Sequence, residues 1–147
     1  MTWVYNDSPI EELDDTYCGF VYLIINKLNN KQYIGKKLLK FKKTKVVKGK
    51  KKKYYAESDW KTYWSSSDIL KKEVLEFGEE NFERRILRFC HNKGELSYWE
   101  AKYQFQLDVL LHPDKFYNEW ISIKTRRSHL LTKKYLTEQQ KGFKLDE

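Results

Sequence analysis

The stretch VYLIINKLNNKQYIGKK, from Val21 to Lys37, consists of two short apolar runs separated by a polar turn. The six residues Phe20 to Ile25 are all apolar and rich in β-branched types, which predicts a strand buried on both faces. Asn26 to Lys31 has the composition of a turn, and Gln32 to Lys36 predicts the returning strand. The stretch therefore predicts an antiparallel hairpin.

A tyrosine lies near each outer end of this hairpin. If Tyr22 pairs with Tyr33, then Ile25 pairs with Asn30, and both rings lie on one face of the sheet. Buried strand tyrosines are usually core residues whose hydroxyl groups have a hydrogen-bond partner. The hairpin alone therefore assigns no chemistry to the two rings.

The chain has 147 residues, a length that fits one domain with its own core. Cys18 and Cys90 lack a second cysteine at metal-ligand spacing, and we expect both to be reduced thiols. No apolar run reaches the length of a membrane span, and the first residues are acidic rather than basic. We expect a cytoplasmic protein without a membrane partner, in which residues 1–18 form an irregular arm.

Lysines are concentrated in the segment that follows the hairpin. From Lys36 to Lys53, eleven of eighteen residues are lysine and none is acidic, in a chain of net charge +8. Apolar residues on both sides of Gly49 favour a basic β-ribbon or an ordered loop, inserted at about 38–58, over disorder. Two interpretations of the charge stay open: a polyanion partner whose condensed counterions are released on binding, or a solvated segment that keeps the chain soluble.

The remaining pattern predicts two helices, a third strand and a charged tail. A first helix is expected at residues 68–77, between a serine cap and Gly78, and a second at residues 95–110. The third strand is expected at residues 81–89, and the tail at 121–147, with either a marginal helix at 130–140 or disorder. Together with the hairpin, these elements predict a fold of the α/β (α+β) class.

The second predicted helix carries one carboxylate in an unusual place. At about 100° per residue, Leu96, Trp99 and Tyr103 share an apolar stripe, and Glu100 falls at the edge of that stripe. Either Glu100 pairs with a lysine such as Lys36, or it stays ionised at a cleft to hold a hard cation such as Mg²⁺. The helix pattern does not distinguish these two roles.

These elements, in this order, resemble the GIY-YIG endonuclease family, and more narrowly its small, phage-type, homing-endonuclease-like members. The matching segments are Phe20-Val21-Tyr22, Tyr33-Ile34-Gly35, Phe77-Gly78, Asn81-Phe82-Glu83, Ile86-Leu87, Glu100 with Tyr103, and Phe116-Tyr117-Asn118. One departure is that the first motif's glycine falls at Phe20, whereas Gly19 stands one place early. The resemblance implies a nuclease domain at residues 19–120, with a three-stranded antiparallel sheet flanked by helices.

The resemblance also implies a Mg²⁺- or Mn²⁺-dependent endonuclease that hydrolyses phosphodiester bonds in double-stranded DNA. Glu100 would hold the metal, Tyr22 would act as general base or base relay, and Tyr33 would orient the water or contact the phosphate. Asn118 would lie near the same site. A phenol is a poor base unless nearby cations lower its pKa, and Lys36, Lys37 and Lys43 are the expected cations.

The family carries an arginine after its second motif, whereas this sequence has Lys43 at that spacing. A lysine supplies charge but lacks the planar fork of arginine. Either Lys43 or Lys42 takes this role, or Arg84 or Arg85 reaches in from the third strand, or the activity is weakened. The predicted DNA-contacting residues are Lys36, Lys37, Lys42, Lys50, Lys51, Lys52, Arg84 and Arg85.

Two alternatives to an active nuclease follow from that departure and from the charge. One is a DNA-binding protein that keeps the fold with little or no cleavage. The other is a basic subunit that docks on an acidic protein partner. A homo-oligomer or a second subunit is also compatible with a chain that has no separate recognition module.

Overall fold

The computed structural model of the chain describes residues 2–131 and 138–139. The strands are β1 Trp3–Tyr5, β2 Ser8–Ile10, β3 Gly19–Asn26, β4 Gln32–Leu38, β5 Lys40–Val47, β6 Lys50–Glu57 and β7 Phe82–Cys90. The helices are α1 Asp68–Phe77, α2 Lys93–Gln106 and α3 Arg127–Leu130, with single 3-10 turns at Glu79–Asn81 and Val109–Leu111. The expected helix at residues 130–140 lies largely outside the described residues. None of the described helices is long and apolar enough to cross a membrane.

The main sheet has five strands in the order β2-β1-β7-β3-β4. All neighbours are antiparallel except β1 and β7, which are parallel. The predicted third strand and hairpin are the three strands β7, β3 and β4, so a mixed fold with a mostly antiparallel sheet and helices is confirmed. The expected strand count of three is wrong because the N-terminal residues add two strands to the sheet.

The N-terminal arm was expected to be irregular, and that expectation is corrected by the β1–β2 hairpin. Asn6 and Asp7, both with positive φ angles of 50° and 65°, form its turn. Trp3 is 1% exposed, and its ring contacts those of Phe20 and Tyr22 at centroid distances of 4.9 and 5.3 Å. Each strand has only three residues, too few to show a period of two in the sequence.

The hairpin formed by β3 and β4, here called the tyrosine hairpin, has a different register from the predicted one. Tyr22 lies opposite Gly35, and Tyr33 lies opposite Ile24. Asn30 adopts a left-handed conformation (φ 62°) that closes the turn, so strand pairing begins beyond it. The register differs by two residues, and because side chains alternate with a period of two, both tyrosine rings still share one face.

The tyrosine hairpin separates two apolar cores. Tyr22 and Ile24 pack on one face with Leu70 and Val74 of α1, while Val21 packs on the other with residues of α2. All residues of β3 except Leu23 are buried, as its uninterrupted apolar run predicts. This central strand therefore fixes the tyrosines from both sides of the sheet.

The helix signals in the sequence were accurate at both ends of the first helix and at neither end of the second. Helix α1 has the predicted bounds, with Ser67 accepting a hydrogen bond from the Leu70 amide at 3.3 Å and Gly78 ending it at φ 91°. Helix α2 begins two residues earlier than predicted and ends at Gln106, not at residue 110. Asp108 has a left-handed backbone (φ 51°) and stops the helix, so Leu110 is 43% exposed instead of continuing the apolar stripe.

Strands β5 and β6 form a separate two-stranded sheet, here called the lysine ribbon. Its turn consists of Lys48 and Gly49, both with positive φ angles, 51° and 76°. This is the backbone that a two-residue hairpin turn requires. The ribbon joins the main fold at its base, where the Ser58 amide donates to the Leu39 carbonyl at 2.8 Å.

Candidate active site

A cavity of about 710 Å³ lies where the tyrosine hairpin meets the start of α1, the middle of α2 and the segment after residue 116. Its walls include three tyrosines, three serines, three carboxylates and two amide side chains. The lining residues are Tyr33, Lys36, Tyr63, Ser66, Ser67, Asp68, Ile69, Glu100, Gln104, Tyr117, Asn118, Glu119, Trp120 and Ser122. Four residues expected at or near the catalytic centre, Tyr33, Lys36, Glu100 and Asn118, therefore share one cavity.

The two hairpin tyrosines occupy different depths. Tyr33 lines the cavity, and its hydroxyl lies 2.9 Å from the Ser66 hydroxyl. Tyr22 is fully buried beneath it, with ring centroids 6.1 Å from Tyr33 and 6.0 Å from Tyr63. Tyr33 is thus the hairpin tyrosine whose hydroxyl can meet a molecule in the cavity, while Tyr22 supports it from below.

Burial raises the pKa of both tyrosines, and most strongly that of Tyr22. The neighbouring hydroxyl groups of Tyr63 and Tyr33 and the carboxylate of Glu100 raise the pKa of Tyr22 further. The expectation that nearby lysines lower these pKa values is therefore wrong. Both phenols are neutral at ordinary pH, so each can donate a hydrogen bond.

The last residue of the Tyr33-Ile34-Gly35 motif must be glycine for a steric reason. A β-carbon at this position would lie 2.6 Å from Cζ of Tyr22 and 2.8 Å from Cε1 of Tyr33. It would also collide with the Tyr22 hydroxyl. Because β-carbons do not approach other atoms this closely, the two tyrosine rings can lie across this point only if residue 35 has no side chain.

Glu100 extends from α2 to the cavity and is mostly buried, with 13% of its side chain exposed. Burial raises the pKa of its carboxyl group to about 7, even though the neighbouring Lys36 acts to lower it. The Lys36 amine lies 3.9 Å from Oε1 of Glu100 and donates to the Ser97 hydroxyl at 2.9 Å. The carboxylate therefore has one cation beside it and remains costly to ionise.

Two amide side chains hold the outer edge of β4, which is the edge strand of the sheet. Asn118 accepts from the Ile34 amide at 3.1 Å and donates to the Ile34 carbonyl at 2.7 Å. The Gln104 amide nitrogen donates to the same carbonyl at 3.0 Å. The exposed edge of a strand offers unpaired backbone groups. Asn118 satisfies them and thereby positions the strand segment between Tyr33 and Gly35.

The chemistry of the donors around Glu100 fits a hydrated divalent cation. Across residues 2–131 and 138–139 there is no group of three or more His, Cys, Asp or Glu side chains able to hold a metal. Mg²⁺ needs no such group, since it keeps several waters and binds through one or two carboxylates together with substrate phosphate. Gln104 Oε1 is buried and has no hydrogen-bond partner among the described residues, which leaves an additional oxygen four residues after Glu100.

Arg84 does not reach the cavity, which corrects the expectation that it contacts DNA or replaces the family arginine. It is 3% exposed, and its guanidinium lies 4.7 and 4.4 Å from the ring centroids of Trp3 and Trp64. Its Nη1 donates to the carbonyls of Lys61 and Tyr63 at 3.2 and 2.8 Å. This arginine connects the sheet to the chain before α1, and its burial prevents contact with a large ligand.

The expectation that Lys37 contacts DNA is also wrong, because this side chain is buried. It is 8% exposed, its amine lies 2.5 Å from Oδ1 of Asp59, and it stacks on the Tyr63 ring at 4.0 Å. Arg85 is paired with Glu83 at 3.0 Å and does not line the cavity.

The ribbon lysines also lie outside the cavity lining. Lys43 is exposed on the lysine ribbon opposite Tyr54, and the predicted DNA contacts Lys42, Lys50, Lys51 and Lys52 are exposed on the same ribbon. Among the described residues that line the cavity, Lys36 is the basic side chain.

Sequence reasoning did not assign a site role to Tyr63, Gln104 or Trp120. Tyr63 carried only an aromatic signal, and its place under Lys37 and against Tyr22 arises from the loop before α1. Gln104 had a usable signal, because it lies one helical turn after Glu100 and therefore on the same face of α2. Trp120 is 70% exposed at the cavity and follows Asn118 by two residues, with no periodic pattern to mark it.

A tyrosine hairpin with a glycine between its rings, a helix carboxylate and a neighbouring amide define the nuclease domain class that the sequence resembles. Residues 3–121 match the family model "Putative endonuclease segE, GIY-YIG domain". The chain therefore belongs to the GIY-YIG endonuclease family, and the resemblance seen in the sequence is confirmed. No curated protein and no solved structure gives a significant match to the chain.

Proposed function

We propose that this protein is a Mg²⁺- or Mn²⁺-dependent DNA endonuclease of the homing type, with its catalytic centre in the cavity above the tyrosine hairpin. The observation that carries this proposal is the convergence of Tyr33, Lys36 and Glu100 on one cavity. Family membership supports nuclease activity on DNA. The metal requirement, the homing role and the roles of individual residues are our own assignment.

Phosphodiester cleavage requires an oriented water, neutralisation of the phosphate and stabilisation of the leaving oxygen. Glu100 would hold the divalent cation, which as a Lewis acid stabilises the charge that develops on the leaving oxygen. Lys36 would contribute a point charge to the scissile phosphate, and it favours the ionised form of Glu100 by acting to lower the pKa that burial raises. The Tyr33 hydroxyl, which Ser66 holds in place, would orient the attacking water by accepting its hydrogen bond, or would donate one to a phosphate oxygen. The proton released by the attacking water would pass to solvent.

Tyr22 acts as a positioning residue in this proposal, not as the general base or base relay that the family resemblance implied. Its hydroxyl is buried and its pKa is raised well above the ordinary value, so a phenolate is disfavoured. Through its ring contacts it fixes Tyr33 and Tyr63 at the cavity wall. Asn118 positions the same strand through the Ile34 peptide group.

A second candidate function is DNA binding with little or no cleavage. The observation that favours it is the absence of an arginine among the described residues that line the cavity. Lys36 supplies a charge there but not the two parallel hydrogen bonds with which a guanidinium holds a phosphate. The two candidates share the same fold and ligand and differ only in the chemical step.

A plasmid assay separates the two candidates. We expect the purified protein to nick supercoiled DNA with Mg²⁺ or Mn²⁺, and Glu100→Gln to lower the nicking rate at least about 100-fold, since a metal contributes several kcal/mol. The matched control is Glu76→Gln, which removes an equal charge from an exposed position on α1. DNA binding without nicking by the wild-type protein, under every divalent metal tried, would replace the endonuclease with the binding protein.

A further inference from the structure

The lysine ribbon is uncovered on both of its faces. Every side chain from Lys42 to Tyr55 is exposed except that of Val47, which is half-buried. The ribbon therefore contributes almost nothing to the core, although its two strands are each eight residues long. At about 3.3 Å per residue it extends roughly 26 Å along its strands.

The strand register divides the lysines evenly between these two faces. Directly opposed residues share a face, and the pairs include Lys45 with Lys52, Val47 with Lys50, and Lys42 with Tyr55. Because side chains alternate along a strand, one face carries Lys43, Lys45, Lys50 and Lys52, and the other carries Lys40, Lys42, Lys51 and Lys53. Both faces of the ribbon are therefore basic, and neither is mainly apolar or acidic.

The charges on the ribbon oppose its own pairing. Lys45 and Lys52 stand directly opposite each other, and like charges in that arrangement destabilise a strand pair. No acidic residue occurs from Lys36 to Ala56. At the base of the ribbon, the Lys40 amine lies 2.9 Å from Oδ1 of Asp15. The other ribbon lysines have no ion pair among the described residues. The sequence of the ribbon thus favours a state in which an anion surrounds it.

We propose that the lysine ribbon enters the major groove of double-stranded DNA, with each lysine face turned to one of the two phosphate walls. A ribbon lying flat on a polyanion needs charge on one face alone, whereas a groove places phosphates on both sides. The major groove, about 12 Å wide, admits a two-stranded β-ribbon. This inference rests on the proposed function, since it assigns the binding mode of the same DNA substrate.

The groove geometry also predicts which nucleic acid the ribbon selects. The major groove of an A-form RNA duplex is too deep and narrow for such an element, whereas B-form DNA is open to it. Lysine contacts on a flat surface would tolerate either duplex, because both present a dense array of phosphates. The ribbon therefore favours duplex DNA over duplex RNA of the same length.

Two matched triple variants test the two-wall arrangement. The first is Lys45→Gln, Lys50→Gln and Lys52→Gln on one face, and the second is Lys42→Gln, Lys51→Gln and Lys53→Gln on the other. Each is combined with Glu100→Gln, and binding to a short DNA duplex is followed by fluorescence anisotropy without divalent metal. The slope of log K against log salt is negative for such binding, and we expect both triples to reduce its magnitude by a similar amount, roughly 2 to 3.

A control triple removes the same charge elsewhere, with Lys71→Gln, Lys72→Gln and Lys115→Gln at exposed positions outside the ribbon. We expect this control to keep the wild-type salt slope. Loss of binding from one ribbon face alone would mean that the ribbon lies flat and would overturn the inference. Wild-type binding by both ribbon triples would overturn it as well.

Groove occupancy is tested by competition on the same duplex. Methyl green, which occupies the major groove, should displace the protein, whereas the minor-groove ligand netropsin should not; the reverse order overturns the inference. Equal affinity for duplex RNA also overturns it. These binding results are independent of the plasmid assay, so a protein that fails to nick can still confirm the groove mode, and a nicking protein can still refute it.

Discussion

The tyrosine hairpin and the lysine ribbon are consecutive antiparallel strand pairs with opposite relations to the rest of the molecule. In the tyrosine hairpin, seven of the eight residues of β3 are buried, and folding alone explains its apolar sequence. In the lysine ribbon no residue is buried, and its charges work against the fold. The contrast shows that the protein core specifies the tyrosine hairpin but not the lysine ribbon, whose charges we have assigned to a DNA groove.

Equivalent substitutions in the two hairpins give the largest expected difference. Gly35→Ala places a methyl group against both tyrosine rings, so we expect nicking to fall at least about 100-fold as the rings move out of place. Overpacking of this kind should also lower the free energy of unfolding by about 1–3 kcal/mol. Plasmid nicking and urea unfolding measure the two effects.

Gly49→Ala is the matched change in the lysine ribbon. A β-carbon there meets nothing within 4 Å, although the left-handed backbone (φ 76°) makes alanine unfavourable by about 1 kcal/mol. We expect nicking by this variant to change by less than about threefold, because the cost is confined to the turn. If Gly49→Ala impaired nicking as severely as Gly35→Ala, the contrast between a hairpin built into the core and an uncovered ribbon would not extend to catalysis.

Glu100 makes the site next to the tyrosine hairpin sensitive to pH. With a pKa near 7 in the folded protein and an ordinary value of 4.5, the folded state holds this proton more tightly than the unfolded state. The free energy of unfolding should therefore fall as pH rises through the interval between these values, by up to about 3 kcal/mol. Urea unfolding at pH 5 and pH 8 measures this change.

Glu100→Gln isolates that contribution, because the amide does not titrate. The difference in stability between wild type and variant should shrink towards pH 5 and favour the variant at pH 8. Mg²⁺ at pH 8 should stabilise the wild type and leave the variant unchanged, since only the carboxylate attracts the cation. A wild-type protein whose stability follows that of the variant at every pH would show that Glu100 is solvated.

Adjacent lysines of β4 provide a smaller and sharper comparison. Lys36→Gln should lower nicking about tenfold, since it removes the cation beside Glu100, and should change stability by less than about 0.5 kcal/mol. Lys37→Gln should leave nicking nearly unchanged and cost roughly 1–3 kcal/mol of stability, because it breaks the part-buried ion pair with Asp59 and the stacking on Tyr63. Nicking and urea unfolding of both variants check the assignment, which fails if the two exchange phenotypes.

Much of the fold could be predicted from the sequence because its signals were local. The apolar run of β3, the serine cap and the glycine stop of α1 each depend on residues close in the chain, and they gave the correct elements. The hairpin register was missed because it depends on the left-handed conformation of Asn30, which residue type alone does not fix. The strands β1 and β2 were missed because their stability comes from Trp3 packing on a distant strand.

The sequence predicts part of the candidate site as well. Tyr33 and Glu100 follow from motif and helix position, and the structure brings both to one cavity. The sequence did not separate Lys36 from Lys37, whose side chains point to opposite faces of one strand, or reveal that Arg84 is enclosed by two tryptophans. These distinctions depend on contacts between residues far apart in the chain.

The smallest expected effect concerns the repulsion within the lysine ribbon. Lys52→Glu places opposite charges at the pair formed with Lys45, so the ribbon should gain up to about 1 kcal/mol at low salt and lose most of this gain at high salt. Amide hydrogen exchange of ribbon residues at 20 mM and 500 mM salt measures the local gain, with Lys72→Glu on α1 as the control. The same variant should bind duplex DNA more weakly than wild type, because it replaces a phosphate-facing cation with an anion. A ribbon that became more protected and also bound DNA more tightly would contradict the contrast between the two hairpins, since its lysines would then serve neither the fold nor the groove.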